Sequence, residues 1–211
     1  MIAIVDYGMG NLRSVEKALA YLGHAARVTS DPDVVVAAER VVLPGVGAFG
    51  AAMQRLSAAR DGGPALQQAV LDVARSGRPF LGICLGMQLL FTESEEMGHH
   101  PGLGLIPGRV RRFDFTGRAD GTSLKIPHMG WNSLSLRREV PLFRGLEDGV
   151  MVYFVHSYYC LPESPDVVAA TADHGGPFCV ALWRDNLFAT QFHPEKSGAA
   201  GLRMLDNFAR L

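Results

Sequence analysis

Cysteine, net charge and long apolar runs are all scarce in this sequence, and each absence excludes a class of protein. The three cysteines are Cys84, Cys160 and Cys179. Their odd number and their spacing disfavour a disulfide framework or a metal site and indicate a reducing cytoplasm. The formal net charge of −1 provides no attraction for nucleic acid or an anionic membrane surface. No apolar run approaches membrane-spanning length, and the first residues lack the order of a signal peptide.

The composition is that of an ordinary globular protein with a substantial core. Of the 211 residues, 48% are hydrophobic and 19% are charged, as in most globular domains. A chain of this length can bury a large core. Because no internal repeat, low-complexity tract or linker divides it, the sequence predicts a single domain over residues 1–211.

Short apolar runs alternate with helical patterns through the first half of the chain. The apolar runs predict strands at Met1–Asp6, Ala25–Thr29 and Arg40–Leu43 and in the stretch that leads into Gly82. Apolar residues at helical spacing predict helices that begin near Asn11 and Pro32 and others at Phe49–Leu56 and Ala65–Ala74. This alternation predicts a parallel sheet with helices on both faces.

The second half consists mostly of short β-rich segments separated by turn signals. They lie at Arg109–Phe115, Asn132–Leu136, Met151–Val155, Val167–Thr171, Phe178–Trp183 and Leu187–Phe192. A polar loop is expected at Thr116–Ser123 and a terminal amphipathic helix at about Ser197–Arg210. The predicted fold class is α/β: a mostly parallel open sheet flanked by helices, with an antiparallel β extension in the second half.

The stretch Pro79–Phe91, PFLGICLGMQLLF, contains the best candidate for a reactive residue. Its Gly82–Gly86 segment has the Gly-x-Cys-x-Gly form of a nucleophile elbow, a sharp strand-to-helix turn. A Cβ at either glycine would collide with neighbouring backbone in such a turn. At a helix N-terminus, backbone N–H groups and the helix dipole would favour the Cys84 thiolate. A buried structural cysteine is the alternative.

Two glycine-containing turns follow strands of the first half. Tyr7–Gly10 matches a dinucleotide-binding loop only weakly, because Arg13 occupies the position of the third glycine. A structural turn is the better interpretation, and an interaction loop is the alternative. Pro44–Gly47 could direct backbone N–H groups into a cleft, as an oxyanion site requires, or could be a plain β–α turn. Because ligands of parallel sheets bind beyond the strand carboxyl ends, Pro44–Gly47 and Cys84 could face one cleft.

His193 is the best candidate for a base that serves the cysteine. It follows the apolar strand Leu187–Phe192 and precedes Pro194, which ends strand pairing. If that strand is parallel to the one before Cys84, both residues emerge at the same edge of the sheet. Glu195 could then bond one imidazole nitrogen and direct the other toward the thiol. A surface histidine beside a helix-start glutamate is the alternative.

Taken together, these motifs resemble those of the class I, triad-type glutamine amidotransferases. The resemblance rests on GICLGMQ at Gly82–Gln88, on the PGVG turn and on the sequence HPE that begins at His193. Within that class, further segments resemble the glutaminase subunits of imidazole glycerol phosphate synthases, which act in histidine biosynthesis. These segments are DYGMGN at Asp6–Asn11, PGVGAFG at Pro44–Gly50, PHMGWN at Pro127–Asn132, YFVHSY at Tyr153–Tyr158 and HPEKS at His193–Ser197.

The resemblance implies a glutaminase that converts glutamine to glutamate and ammonia without a metal or an organic cofactor. The catalytic nucleophile, acid–base and orienting residue would be Cys84, His193 and Glu195. Backbone N–H groups of Val46 and Leu85 would hold the oxyanion. The substrate would contact Gly47, Gln88, Ser157 and Tyr158.

The resemblance also implies a partner, a cyclase subunit with a (β/α)₈ barrel that receives the ammonia in a heterodimer. That subunit would form imidazole glycerol phosphate and an aminoimidazole carboxamide ribotide. The interface and ammonia passage would include Asn11, Met129, Trp131, Tyr153 and Lys196. From its residue type alone, Trp131 could equally be a core anchor. The rival hypotheses are a glutaminase of another pathway, a catalytically silent interaction protein and a stand-alone cysteine hydrolase.

Overall fold

The secondary structure comes from a computed structural model that describes residues 1–58, 65–116 and 124–211. The helices are α1 (Leu12–Tyr21), α2 (Pro32–Ala37), α3 (Phe49–Ser57), α4 (Leu66–Arg75), α5 (Leu85–Leu89) and α6 (Gly198–Ala209). The strands are β1 (Ile2–Val5), β2 (Ala26–Thr29), β3 (Arg40–Gly45), β4 (Phe80–Cys84), β5 (Phe91–Ser94), β6 (His100–Pro101), β7 (Ile106–Arg112), β8 (His128–Ser133), β9 (Ser135–Leu136), β10 (Met151–His156), β11 (Tyr158–Pro162), β12 (Val168–Asp173), β13 (Pro177–Arg184) and β14 (Leu187–Thr190). Short 3₁₀ helices lie at Pro141–Phe143, Pro165–Val167 and Pro194–Lys196. None of the described helices is long and apolar enough to cross a membrane.

One large sheet includes strands from both halves of the chain. Its order is β2-β1-β3-β4-β14-β13-β11-β7-β5-β6, with β12 beside β13 and β9 beside β12. Strands β2, β1, β3, β4 and β14 are parallel to one another. From β13 onward the pairing is antiparallel, apart from the parallel pair β5 and β7. The predicted fold class, a mostly parallel sheet with an antiparallel extension, is confirmed.

Both faces of the parallel sheet are covered, which explains why its strands are continuously apolar. On one face, Val5 of β1 belongs to the same hydrophobic core as Val70 of α4. On the other face, Ile4 belongs to a core with Leu19 of α1 and Phe208 of α6. The helices therefore lie on both faces, as the alternation of segments predicts.

Several predicted boundaries differ from the structure. Helix α5 ends at Leu89 and the chain enters β5 at Phe91, a strand that the sequence did not predict. Every residue of α5 is buried, and a continuous apolar run does not distinguish a helix from a strand. Strand β14 ends at Thr190 rather than at Phe192. Most of the loop predicted at Thr116–Ser123 lies outside the described residues.

Strands β8 and β10 form a separate two-stranded antiparallel sheet. The sequence predicted β10 but placed the other strand at Asn132–Leu136, whereas β8 covers His128–Ser133. Burial alternates along β8, with His128 buried and Met129 exposed. This alternation could not be predicted from the sequence, because the more buried positions of β8 hold polar or glycine residues and not apolar ones.

Helix α5 lies close to β3 and β4 because two glycines permit the approach. A Cβ on Gly82 would lie 2.8 Å from the carbonyl oxygen of Gly86. A Cβ on Gly86 would overlap the carbonyl oxygen of Leu43 in β3. The obstacles are backbone atoms, which cannot move away as a flexible side chain could. Glycine is therefore required at both positions, as the sequence predicts.

Gly86→Ala is expected to lower the free energy of unfolding by about 3 kcal/mol, the upper end of the usual range for overpacking. Urea-induced unfolding followed by circular dichroism measures this loss. Gly23→Ala is the control, since its Cβ would meet open space but its φ is +82°. That variant should lose about 1 kcal/mol through backbone strain. Equal losses in the two variants would contradict the steric explanation.

Candidate active site

Cys84 lies at the turn between β4 and α5, in a backbone conformation that L-residues seldom adopt. Its φ is 55° and its ψ is −109°. Strain of this kind is typical of functional turns and of a nucleophile elbow. Cys84 is 7% exposed, and it lines a cleft of about 410 Å³. The sulfur is thus held at the edge of the sheet within reach of a small ligand.

Two buried glutamines lie next to Cys84. The Nε2 of Gln191 donates to the Sγ of Cys84 at 3.7 Å. The Nε2 of Gln88 lies 3.0 Å from the Oε1 of Gln191 and 3.2 Å from the carbonyl oxygen of Tyr158, and it donates to both. These bonds hold Gln88 at the cleft. Gln88 was predicted from the sequence but Gln191 was not, since its only signal is a polar residue within the apolar stretch LFATQF.

Strand β14 brings His193 to the edge of the sheet at which Cys84 emerges. It pairs in parallel with β4, and Thr190 lies opposite Ile83. The Nδ1 of His193 donates to the Oε1 of Glu195 at 2.8 Å. The Nε2 of the same ring has no hydrogen bond of normal geometry to any described residue. His193 and Cys84 line the same cleft.

The environment of His193 raises its pKa to about 9. Burial of the ring opposes protonation, but the side chains of Cys84 and Glu195 together outweigh that effect. The side chains of His193 and Glu195 are only 2% and 1% exposed. At neutral pH the ring is therefore cationic, and its buried carboxylate partner holds it in one orientation.

Ser197 connects His193 to β10. Its Oγ donates to the carbonyl oxygen of His193 at 2.7 Å and accepts from the backbone N–H of Tyr153 at 3.0 Å. The backbone N–H of His193 donates to the carbonyl oxygen of Tyr153 at 3.0 Å. The position of His193 thus depends on the small β8–β10 sheet, a link that the sequence could not reveal.

The PGVG segment begins inside β3 instead of forming a turn throughout. Pro44 and Gly45 extend the strand beyond its predicted end at Leu43, and Gly45 lies opposite Cys84. The prediction of a turn is wrong for these two residues. Pro44 is tolerated within the strand because β1 pairs with β3 only as far as Val42. No residue of β1 therefore needs the backbone N–H that proline lacks.

The end of the PGVG segment and the Tyr7–Gly10 loop pack against each other beside the cleft. Val46 and Gly47 line the cleft, and Gly47 has a φ of +102°. The hydroxyl of Tyr7 donates to the carbonyl oxygen of Pro44 at 3.0 Å, and burial raises the pKa of that hydroxyl. The methyl group of Met9 occupies the space beside Gly47. The loop therefore supports the PGVG segment, in agreement with its interpretation as a structural turn.

Glu96 is a residue of the cleft that the sequence analysis missed. Its Oε2 accepts a hydrogen bond of 2.6 Å from the backbone N–H of Phe49, the first residue of α3. Among the described residues that line the cleft it is the only acidic one, and Gln88, Ser157 and Tyr158 line the same cleft. Nothing in the stretch TESEEM distinguishes Glu96 from the neighbouring glutamates.

Three of the five residues assigned to a partner interface by resemblance, Met129, Trp131 and Tyr153, lie on the β8–β10 sheet. Met129 and Trp131 are 62% and 54% exposed, so Trp131 is not a core anchor. Its ring packs edge-to-face on Tyr153, with 6.1 Å between centroids. Lys196 is exposed in the 3₁₀ helix that contacts both β10 and α1, and Asn11 is half-buried at the start of α1.

The two other cysteines and the potential metal ligands of the described residues form no alternative centre. Cys160 and Cys179 lie opposite each other on β11 and β13, and both are buried. Burial raises the pKa of Cys179 to about 12 and that of Cys160 well above its usual value, so neither forms a thiolate readily. Across the ranges that the structure describes, no group of three or more His, Cys, Asp or Glu residues could hold a metal ion.

The ring of His193 is expected to stay protonated up to about pH 9. Because the charge of Glu195 favours the cation, Glu195→Gln should lower this pKa toward the ordinary value of 6.5. The raised pKa stabilises the fold below about pH 6.5, and that stabilisation is lost as the pH rises through about 9. Titration of the histidine rings by NMR measures the shift. An unchanged pKa of His193 in the Glu195→Gln variant would contradict the ion pair between His193 and Glu195.

Comparisons with known proteins agree with this geometry. The family model for glutamine amidotransferase class-I matches residues 3–211. The chain is 60% identical over 208 residues to the imidazole glycerol phosphate synthase subunit HisH of Syntrophotalea carbinolica, covering 99% of this chain and 98% of that protein. It is 56% identical over 210 residues to the subunit of the same name from Geobacter sulfurreducens, covering 100% and 98%. The solved structure of PurLQS from Thermotoga maritima has the same fold, with a TM-score of 0.70 at 18% identity over 99% of this chain and 97% of that one. The chain therefore belongs to the class I glutamine amidotransferases.

Proposed function

We propose that this chain is the glutaminase subunit of an imidazole glycerol phosphate synthase, acting in histidine biosynthesis. It hydrolyses the side-chain amide of glutamine and passes the ammonia to a cyclase subunit. The observation that carries this proposal is the full-length identity of 60% to a protein of that name, combined with a Cys–His–Glu arrangement at one cleft. We further propose that residues 1–211 act as one domain in the cytoplasm.

The first chemical step is attack by the Cys84 thiolate on the amide carbon of glutamine. The cationic His193 then donates a proton to the departing ammonia, which leaves a thioester on the sulfur. The neutral ring next accepts a proton from water, whose oxygen cleaves the thioester and releases glutamate. Glu195 keeps Nδ1 of the ring occupied at 2.8 Å, so Nε2 is the nitrogen that exchanges protons.

Backbone N–H groups stabilise the oxyanion formed in both steps. We assign this role to Leu85, the first residue of α5, whose N–H has no partner within the helix. The second donor is the N–H of Val46, which lies at the end of the PGVG segment in the same cleft. Losing one such donor typically costs on the order of 10²–10³ in rate.

We assign the amino-acid end of glutamine to other residues that line the same cleft. Gln88, Gly47 and the backbone at Ser157 and Tyr158 line that space. We assign Glu96 to the α-ammonium group, because it is the only carboxylate among the described lining residues. A carboxylate beside an ammonium forms a charge-assisted hydrogen bond.

The partner is a cyclase subunit with a (β/α)₈ barrel. The proteins with high identity are named as subunits of a synthase, so a partner is expected for this chain as well. We place the interface on the exposed side of β8, where Met129 and Trp131 form an apolar patch. We assign Tyr153, Asn11 and Lys196 to the same interface.

Glutamate release from glutamine, measured with and without the cyclase subunit and its ribonucleotide ligand, tests the proposal. We expect activity that depends on the partner and disappears in Cys84→Ala. Glu195→Gln should lower turnover less, because it disturbs orientation but leaves the nucleophile in place. Cys179→Ala is the matched control, since it removes a buried thiol outside the cleft and should remain active.

Three outcomes would contradict parts of this proposal. Equal activity with and without the partner would exclude the subunit assignment and favour a stand-alone hydrolase. No activity under either condition would favour an interaction protein without catalysis. Equal losses in single-turnover rate for Cys84→Ala and Glu195→Gln would contradict the orienting role of Glu195.

Glu96→Gln is expected to raise the KM for glutamine about tenfold or more, since a charged hydrogen bond contributes about 1.5–3 kcal/mol. The change in kcat should be smaller, because the ammonium group is remote from the reacting carbon. Steady-state kinetics of the complex measure both constants. Glu95→Gln, a change at the adjacent glutamate, is the control and should leave KM unaltered. A KM equal to that of the parent would refute the assignment of Glu96.

A further inference from the structure

A chain of hydrogen bonds connects β8 to the cleft through side chains that the proposed chemistry does not use. The Nδ2 of Asn132 lies 3.2 Å from the Nε2 of His128. The Nδ1 of His128 lies 3.0 Å from the Nε2 of His156. The Nδ1 of His156 lies 2.7 Å from the carbonyl oxygen of Tyr158, which belongs to the wall of the cleft.

The two ends of this chain determine the direction of every bond in it. The Oδ1 of Asn132 accepts from the backbone N–H of Ser133 at 2.8 Å, and its Nδ2 donates to the carbonyl oxygen of Asp173 at 2.8 Å. The amide nitrogen is therefore a donor, and the Nε2 of His128 must accept. At the other end, the carbonyl oxygen of Tyr158 can only accept. Both imidazoles must then be neutral, each with its proton on Nδ1.

The surroundings of the two rings favour this neutral state. Burial lowers the pKa of His156 to about 3 and that of His128 to about 4, and His174 contributes to both shifts. The ring of His174 stacks on that of His128 with 4.2 Å between centroids. Its own Nε2 lies 3.0 Å from the carbonyl oxygen of Lys125, so His174 is not part of the chain.

We propose that His128 and His156 are positioning residues that hold the Ser157–Tyr158 backbone in place for glutamine. The carbonyl oxygen of Tyr158 accepts from His156 and also from the Nε2 of Gln88, at 3.2 Å. These two donors fix the peptide that, under the proposed function, contacts the amino-acid end of the substrate. The inference rests on that function.

The same chain of hydrogen bonds connects the wall of the cleft to the strand that carries the proposed partner surface. Side chains of a strand alternate between its two faces. Met129 and Trp131 are exposed on one face of β8, whereas His128 and Asn132 on the other face belong to the chain. A partner that moves β8 therefore acts on the peptide of Tyr158 through two rigid rings.

The protonation pattern can be tested without any activity assay. In the full-length chain labelled with ¹⁵N-histidine, both His128 and His156 are expected as the Nδ1–H tautomer at about pH 7.5, because the hydrogen-bond partners select the tautomer. Asn132→Ala removes the donor at one end and should lower the Nδ1–H fraction of His128. An Nε2–H tautomer at either ring of the parent protein would overturn the proposal.

Kinetics of the complex test the positioning role. His128→Phe keeps an aromatic ring but removes both hydrogen bonds, and we expect KM for glutamine to rise about three- to tenfold with kcat changed less than about twofold. His128→Asn, whose amide nitrogen can replace Nδ1, should restore KM. His174→Phe is the matched control within the same aromatic cluster and should leave KM unchanged.

The outcomes separate this proposal from the function on which it rests. If the parent complex releases no glutamate, the proposed function is refuted. The tautomers of His128 and His156 then still show whether the hydrogen bonds run in the proposed direction. If the parent is active and His128→Phe has an unchanged KM, or if His128→Asn fails to restore it, the positioning role is overturned. If His128→Phe does not fold, the KM of Asn132→Ala decides: an increase of about twofold supports the proposal, and no increase overturns it.

Discussion

The parallel pairing of β14 with β4 is the constraint on which the candidate site depends. Carboxyl ends of neighbouring parallel strands open toward one region of space. The register of this pair, with Thr190 opposite Ile83, places His193 and Cys84 at a common edge. Strand β3 lies on the other side of β4 and brings Val46 to the same edge. Three strand ends thus supply the acid–base, the nucleophile and an oxyanion donor that we propose.

The histidines in and beside the cleft have different charge states for one physical reason. Each ring is buried, so each would be neutral unless a neighbouring negative group compensates the loss of hydration. His193 has Glu195 and Cys84 beside it, and its pKa rises to about 9. For His128 and His156, burial is reinforced by the charges of neighbouring histidines, and the pKa values of both rings fall. Under the proposed function, one residue type therefore transfers protons at His193 and gives fixed, directed hydrogen bonds at His128 and His156.

The small β8–β10 sheet contacts both His193 and the backbone at Tyr158. Through Tyr153 and Ser197 it holds the backbone of His193. Through His156 it holds the peptide of Tyr158. Its outer face carries the exposed residues Met129 and Trp131. An element that contacts the proposed acid–base, the proposed substrate-binding backbone and the proposed partner surface offers a physical route by which a partner could control glutamine hydrolysis.

The α/β class, the covered sheet and the triad candidates could be predicted from sequence because each leaves a local signal. Strands buried on both faces must be apolar throughout, and the elbow needs glycine where Gly86 approaches the backbone of Leu43. Glu96 and the bridge made by Ser197 left no such signal, and Gln191 left only a polar residue in an apolar stretch, because their partners lie far away in the chain. Strand β5 was also hidden, since the fully buried run that leads into it has no polar face. Residue types and their local patterns show which groups could react. Which of these groups meet depends on the folded chain, because strand pairing and register bring distant residues into contact.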